Sequence, residues 1–492
     1  INVYLPFTIF WLLVGISMTL IAVKVSHRGT GYVMVKSKLN NTAKVIFALT
    51  LAVGAAIHFQ LVAEKPLTYV MHVESWKKGY EETFRKYSTI PQPKITTITS
   101  NAALFPESGF AQFTVDYTLT NESNEMISNI LVGRHGNLVD WTLATPLAKT
   151  KQSKRQYNHT EIQLDEPLKP GGSLELSIHF SVRQPQLWPN SENLIISDEF
   201  TRISAGYFLP VVGYQPSFEI KGKQQRTTHG LPEQSSPDAL PAKVLINSTV
   251  STTHHHTIVP IGALVDKQVK DHRNVYQFTS TKPKYVDFSW VSTPAKPFYE
   301  KGNKTQAMFF TSAKNRVPSA LIKSAVSDSI NWLATNLPLL SINNLSVIYT
   351  PLLKRDIQSK GSTLFLKSDW VFKLASTSNE GYNAEHYGEM VRATIMSTLN
   401  PYSSDAHMQH LMMSIIQLKI MNNNLGDKKT NEFLQRISNQ YNNLHKLSEK
   451  PNATEQVINS LLKAQSMLLA QTIVSEVPHD NLIEVITKYF SS

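Results

Sequence analysis

The chain has 492 residues, 41% hydrophobic and 17% charged, which is enough for two or three domains with real cores and shows no sign of bulk disorder. It contains no cysteine, so disulfide staples, thiolate zinc sites and cysteine nucleophiles are excluded together. The formal net charge is +11, yet residues 1–63 hold five basic side chains (Lys24, Arg28, Lys36, Lys38, Lys44) and no acid, leaving 43 basic and 37 acidic residues elsewhere, too mild an excess for a nucleic-acid partner.

The sequence opens on Ile1 with no signal-peptide pattern, so a piece of a longer protein is expected. Residues 4–23, "YLPFTIFWLLVGISMTLIAV", and 45–63, "VIFALTLAVGAAIHFQLVA", are uncharged and about 20 residues long, the length that crosses a hydrocarbon core as a helix. The bland alternative, a buried helix of a soluble core, seldom stays uncharged all round for so long. The basic residues lie between the spans or at their inner edges, which assigns the 25–43 loop to the cytoplasm and everything after about residue 64 to the other side.

Between residues 64 and 92, Val70, Val73, Trp76, Tyr80 and Phe84 share a helical face before Pro91 and Pro93 end the pattern. Two readings stand: an amphipathic stalk lying near the headgroups, or a linker helix packed on the domain that follows. From 95 to about 300 the period becomes two. Phe113, Val115, Tyr117 and Leu119 alternate with polar residues, as do Leu174, Leu176, Ile178, Phe180 and Val182, which predicts antiparallel strands with one wet face. From 317 onward the period is helical. Leu321, Ala325, Val326, Ile330 and Leu333 form one face, residues 405–424, 430–442 and 454–475 behave alike, and "INNLSVIYTPLL" reads as a strand between them. There is no G-x-x-x-x-G-K-[ST] for a P-loop and no G-x-S-x-G nucleophile elbow.

Two spans with a basic loop, a stalk ending in "STIPQPKIT" and a β region holding "GYFLPVVGYQPSFEIKGKQQRTTHGLPEQ" together resemble the C-terminal part of a bacterial ATP-binding-cassette transporter permease fused to an aminopeptidase-N-like region. The stretch 208–232 is the most specific match. The resemblance implies a membrane-anchored multidomain chain: two transmembrane helices (1–63), a stalk helix (64–92), an antiparallel saddle-like β domain (93–304) and a mostly α thermolysin-like domain (305–492).

The same resemblance locates the peptidase chemistry, and each position departs from it. The H-E-x-x-H helix falls at "AEHYGEM", with Glu385 and Glu389 at the two zinc-histidine places and His386 at the catalytic glutamate's. The third zinc ligand would fall near "DAHMQHLMM", which offers His407 and His410 but no glutamate. Leu461 and Leu462 precede Lys463 where a tyrosine would stand, and the G-x-M-E-N clamp for a peptide amine is missing from "SKGSTLFLKSDWVF". Glu385, Glu389 and a histidine from 407 or 410 are chemically permitted zinc ligands. Two carboxylates, however, make a zinc-bound water less acidic, and His386 points away from both at about 100° round the helix per residue. Elsewhere, His254 and His256 of "HHH" would share a strand face and are expected to decorate an exposed edge. Met408, Met412 and Met413 read as core filler around His407 and His410, and "KTKQSKRQ" (149–156) as a solvated loop.

The expectation is therefore a non-catalytic domain with no catalytic residue and no cofactor, zinc included. Glu385, His386, Glu389, His407 and His410 mark a degenerate cleft for a peptide or protein ligand. Expected partners are a separate ATPase subunit, the remaining permease spans or a second permease, and membrane lipid, at the bacterial inner membrane with the bulk of the chain periplasmic. The alternative is a membrane-anchored zinc metallopeptidase with a rearranged metal site.

Overall fold

The two uncharged N-terminal runs form the helices α1 (Tyr4–Ser26) and α2 (Lys36–Glu64), seen in a computed structural model that describes residues 4–26, 36–64, 69–133, 140–144, 150–152, 156–184, 191–235, 243–301, 306–311, 320–338, 340, 344–353, 355–368, 380–399, 405–448 and 455–491. Both are long and apolar enough to cross a bilayer, with mean hydropathy 2.1 over Leu5–Ala22 and 1.7 over Asn41–Phe59. Trp11, Leu12, Val45 and Phe59 are exposed, as lipid-facing residues would be. The two helices touch closely at Gly54, where a Cβ would stand 3.0 Å from the Phe10 ring, and Ser17 donates a hydrogen bond to Thr50 Oγ1 at 3.2 Å. Small residues and hydroxyl pairs are what join helices where lipid removes the hydrophobic driving force. Most of the expected basic loop, 27–35, lies outside the described residues, as do 149 and 153–155 of the "KTKQSKRQ" stretch.

Contacts divide the chain into two compact units: residues 1–86, 183–191 and 217–235, and the remainder. In the first, α3 (Tyr69–Phe84) carries the predicted apolar face. Of the two readings of that face, the structure favours a packed one. Trp76 and Tyr80 stack at 5.4 Å between ring centroids, and both meet Phe218 edge-on at 5.9 and 5.5 Å. Phe218 belongs to the segment 217–235, which also forms the short helix α5 (Lys223–Thr228), after α4 (Ala205–Phe208) of the other unit.

The same contact is ionic at its centre. Arg226 Nη2 reaches Glu81 Oε1 at 2.5 Å and Nη1 reaches Glu219 Oε2 at 3.3 Å, all three side chains being almost fully buried. Remaining Arg226 donors go to the Ile220 carbonyl at 2.7 Å and to the Pro232 carbonyl at 2.8 and 2.6 Å. Arg85 pairs with Glu81 from the rim and donates to the Glu233 carbonyl at 2.5 Å. A buried charge persists only when paired and fully hydrogen-bonded, and this cluster of two acids and two arginines meets that condition.

In the second unit the alternating segments build a seven-stranded sheet ordered Ala263–Lys270, Arg273–Thr279, Leu245–Thr253, Lys94–Phe105, Phe110–Thr120, Ser173–Arg183, Asp140–Ala144. It is antiparallel except where Lys94–Phe105 runs parallel to Leu245–Thr253. The predicted inward residues Phe113, Val115, Tyr117 and Leu119 are buried, as are Leu174 to Val182 at every second position. Two four-stranded sheets complete the β part, with Trp290 fully buried against Phe113 and Phe288. The later part pairs a mixed five-stranded sheet, Lys296–Lys301 to Thr363–Lys367, with α6 (Ala320–Asn336), α7 (Glu380–Leu399), α8 (Ala406–Ser448), α9 (Glu455–Glu476) and α10 (His479–Ser491). The two predicted helices 405–424 and 430–442 lie within α8, interrupted by Gly426 at φ 78°, a conformation open to glycine and costly for other residues. A third apolar cluster, including Phe310, Ile348 and Phe365, joins the β and helical parts, and there the buried Arg202 guanidinium stacks on Phe365 at 3.8 Å and donates to Gln358 at 2.7 Å.

Replacing Arg226 by Met leaves two buried carboxylates with one rim arginine. We expect a loss of about 3 kcal/mol, read as a lower unfolding midpoint and faster proteolysis within 217–235. Arg85→Met, at the half-exposed rim, is expected to lose clearly less, and equal losses would refute the central role given to Arg226.

Candidate functional site

α7 is buried along most of its length. Ala384, Tyr387, Met390, Val391 and Ile395 enter the helical core, which leaves Glu385 and Glu389, four residues apart, on a narrow remaining face. That face borders a cleft of about 130 Å³ shared with α8 and α9. Its polar lining is Glu385, Glu389, Gln417, Gln440, Ser460 and Lys463, and Phe433 and Met467 belong to its apolar wall. Gly388 lets α8 come near: a Cβ there would meet Met421 Sδ at 3.1 Å and Gln417 Nε2 at 3.2 Å. Gln417 Nε2 donates to the Gly388 carbonyl at 2.8 Å.

Behind the cleft stands Arg392, one turn beyond Glu389. Its buried guanidinium donates to Ser414 Oγ at 3.1 Å, Gln417 Oε1 at 3.3 Å and His410 Nδ1 at 2.8 Å. Among the described residues no carboxylate lies within ion-pair distance of it. Burial lowers its pKa to about 10, so it stays charged at neutral pH. His410, accepting from it, is held neutral: burial first, then Arg392, Lys463 and His407, pushes its pKa down to about 4. The Lys463 ammonium is lowered to about 8 by burial and by Arg392, with Glu389 opposing. The Glu389 carboxyl is raised by burial, with Lys463 and His386 opposing and Glu385 and Asp356 assisting. Both side chains keep contact with water through the cleft mouth while protein surrounds them on the other sides.

The positions singled out in the sequence are therefore dispersed. Glu385 and Glu389 line the cleft, and Glu385 meets Arg436 at 3.2 Å in a half-exposed pair. His386 is buried and does not line it, as its place on the helix predicted. His410 is committed to Arg392, and His407 is exposed at the start of α8, where its backbone N–H is capped by Asp405 Oδ1 at 2.9 Å. Met412 and Met413 are core, whereas Met408 is exposed. Gln417, Lys463 and Arg392 are the residues that sequence reasoning passed over. Lys463 served there only as a landmark, and the signal available was its position two residues after Leu461, where the peptidase pattern expects its tyrosine.

Zinc would need three neutral or anionic donors converging on one point. Among the described residues the cleft offers two carboxylates and no imidazole in its lining, with the Lys463 ammonium in the field of Glu389, and this donor set does not suit a zinc ion.

The histidine run behaves differently from its expected role. His254 and His255 lie in a turn beyond the strand Leu245–Thr253, not on one strand face, and His255 and the buried His256 converge with Asp198. The expectation that no residues would form a metal site is corrected here: a carboxylate from a distant loop supplies the third donor that the run itself lacks.

No protein-family profile matches the sequence, and no curated protein matches it. Solved structures do resemble the fold. The M1 zinc metallopeptidase of Deinococcus radiodurans aligns with a TM-score of 0.54 over 81% of this chain and 86% of that one, at 11% identity. A mutant M1 zinc metallopeptidase from Deinococcus radiodurans bound to a Tyr-Ser-Ala substrate gives 0.52 over 81% and 87%, also at 11% identity. What is shared is the fold. The expected aminopeptidase-like region, a sheet-rich part followed by a helical part, is present.

The charge in the cleft carries a pH signature. The folded pKa of Lys463, about 8, lies below its ordinary value of 10.5, so the unfolded chain binds more protons between these limits and wild-type stability rises with pH across them. Lys463→Met is expected to be more stable than wild type by about 1 kcal/mol at pH 7, discounted for the water in the cleft. That gain should shrink towards pH 10. Denaturant unfolding at both pH values checks it, and a gain independent of pH would contradict it.

Proposed function

We propose that this chain is the C-terminal part of an ATP-binding-cassette permease whose last two spans carry an aminopeptidase-shaped domain that binds a ligand and does not hydrolyse it. The supporting observation is Lys463: an ammonium faces Glu389 in the cleft beside α7, with the Arg392 guanidinium behind it, at the helix where an M1 enzyme holds its metal. Fixed positive charge repels a second cation and attracts an anionic group. Two carboxylates at the mouth select against a wholly acidic ligand, so the occupant best matched is a peptide or protein segment presenting a single carboxylate to Lys463 and a basic or amine group to Glu385 and Glu389.

On this reading α1 and α2 anchor the domain in a bacterial plasma membrane, with the region after residue 64 extracytoplasmic. ATP is hydrolysed by a separate subunit, and the remaining spans come from elsewhere in the permease. The apolar length of the two helices supports the anchor, and the resemblance of residues 208–232 supports the transporter setting.

Two assays on the full chain in detergent test the proposal. Amino-acid amide substrates, with and without added zinc, are expected to show no turnover above buffer. Peptides with a free C-terminal carboxylate are expected to bind, with affinity falling at least about tenfold in Lys463→Ala and on amidation of the peptide, the loss typical of a charged hydrogen bond. Zinc-dependent turnover that disappears in Glu385→Ala would replace this reading with the rearranged metallopeptidase.

A further inference from the structure

Away from the cleft, two distant stretches of chain bring three donors together. Asp198 lies in the turn 197–200, and His255 and His256 lie just past the strand Leu245–Thr253; their donor atoms are all within 4.8 Å of one another. His255 Nε2 is 2.9 Å from Asp198 Oδ1, and His256 Nε2 is 3.8 Å from the same oxygen. Ligands on one face of a tetrahedron with bonds near 2.0–2.2 Å stand roughly 3.3 Å apart, so these separations bracket the required value.

The far side of each ring is already supported. His255 Nδ1 is 3.1 Å from Thr253 Oγ1, and His256 Nδ1 is 2.9 Å from Ser292 Oγ, itself 2.7 Å from Thr252 Oγ1. Metal-bound imidazoles are oriented by a partner on their other nitrogen, and that is the part these hydroxyls can play. In the hydrogen-bonded arrangement seen, His256 Nε2–H donates to the Asp198 carbonyl at 2.8 Å and His255 Nε2–H to the Asp198 carboxylate. A hydroxyl accepts as readily as it donates, so each ring can carry its proton on Nδ1 instead and free Nε2 for an ion; at His256 this requires the Asp198 carbonyl, which faces Nε2 at 2.8 Å, to turn aside.

Asp198 and His255 remain exposed, which gives an ion a way in and leaves a coordination position to water. Glu107, hydrogen-bonded to Thr253, adds negative charge nearby.

We propose that Asp198, His255 and His256 form a binding site for a divalent transition cation of the zinc class, tying the turn 197–200 to the strand ends at 253–256 and 289–293. Two imidazoles and one carboxylate suit such ions and are too nitrogen-rich for calcium or magnesium. The site is independent of the cleft and holds whether or not the cleft reading does.

The test uses the full chain in detergent, stripped with chelator, reloaded with zinc chloride and passed through a desalting column. We expect one zinc per chain by elemental analysis, and a metal-dependent rise in unfolding temperature, in the wild type and in Glu389→Gln alike. His255→Ala and Asp198→Asn, both at exposed positions, are expected to keep the fold by circular dichroism yet lose the retained zinc and the thermal rise. No retained zinc in the wild type, or undiminished zinc in these two variants, overturns the site.

Discussion

Arg392 carries a full positive charge into a helical core, and the arrangement around it follows from that. A buried guanidinium must spend its donors on acceptors fixed in place. Ser414, Gln417 and His410, all on α8, supply them, so the guanidinium sets the register of α7 against α8. Gly388 permits the close approach that this register needs. Burial first, and the Arg392 charge second, keep His410 neutral and lower the Lys463 ammonium. A zinc peptidase holds its positive charge in this region as a removable ion. Here charge of the same sign is built covalently into two side chains, an arrangement compatible with binding an anion.

What the sequence made legible depended on how local its causes were. Alternation in 111–120 and 173–182 was readable because each strand buries one face, and every second residue must then be apolar. The two N-terminal helices were readable from their uncharged runs, and both are long and apolar enough to cross a bilayer. The break in α8 was readable as well: the helical patterns 405–424 and 430–442 fall on either side of Gly426, whose φ of 78° and ψ of 166° are not helical. Glu385 and Glu389 could be placed on one face from their spacing, whereas Lys463 and Gln417 enter the same cleft from other helices and carry no local mark. Asp198 lies 57 residues from His255, so the histidine run alone suggested a decorated strand edge.

The segment 217–235 shows the same limit from the other side. Its sequence was the most specific feature in the chain, yet its purpose in the fold is not local: Arg226 meets Glu81, 145 residues earlier, and Phe218 completes an aromatic cluster begun by Trp76 and Tyr80. The amphipathic face of α3 was ambiguous because lipid headgroups and a protein surface both accept Trp and Tyr. In the structure that face meets the segment 217–235 around a buried Glu–Arg–Glu cluster, whose three desolvated charges need hydrogen-bond partners fixed in place.

These three polar clusters share one physical rule, applied with different outcomes. At Glu81, Glu219, Arg226 and Arg85 the charges are balanced and every Arg226 donor is satisfied, so the cluster fixes a helix. At Asp198, His255 and His256 the donors face one another across a gap that two protons or one cation can fill, so the cluster is suited to exchange. At the cleft two cations, Arg392 and Lys463, stand beside two carboxylates, Glu385 and Glu389, and burial raises the Glu389 pKa, so both signs of charge line one open site. A peptide carboxylate at Lys463 and an amine at the two glutamates would match this arrangement, and that complementarity is the support the cleft lends to the proposed binding role.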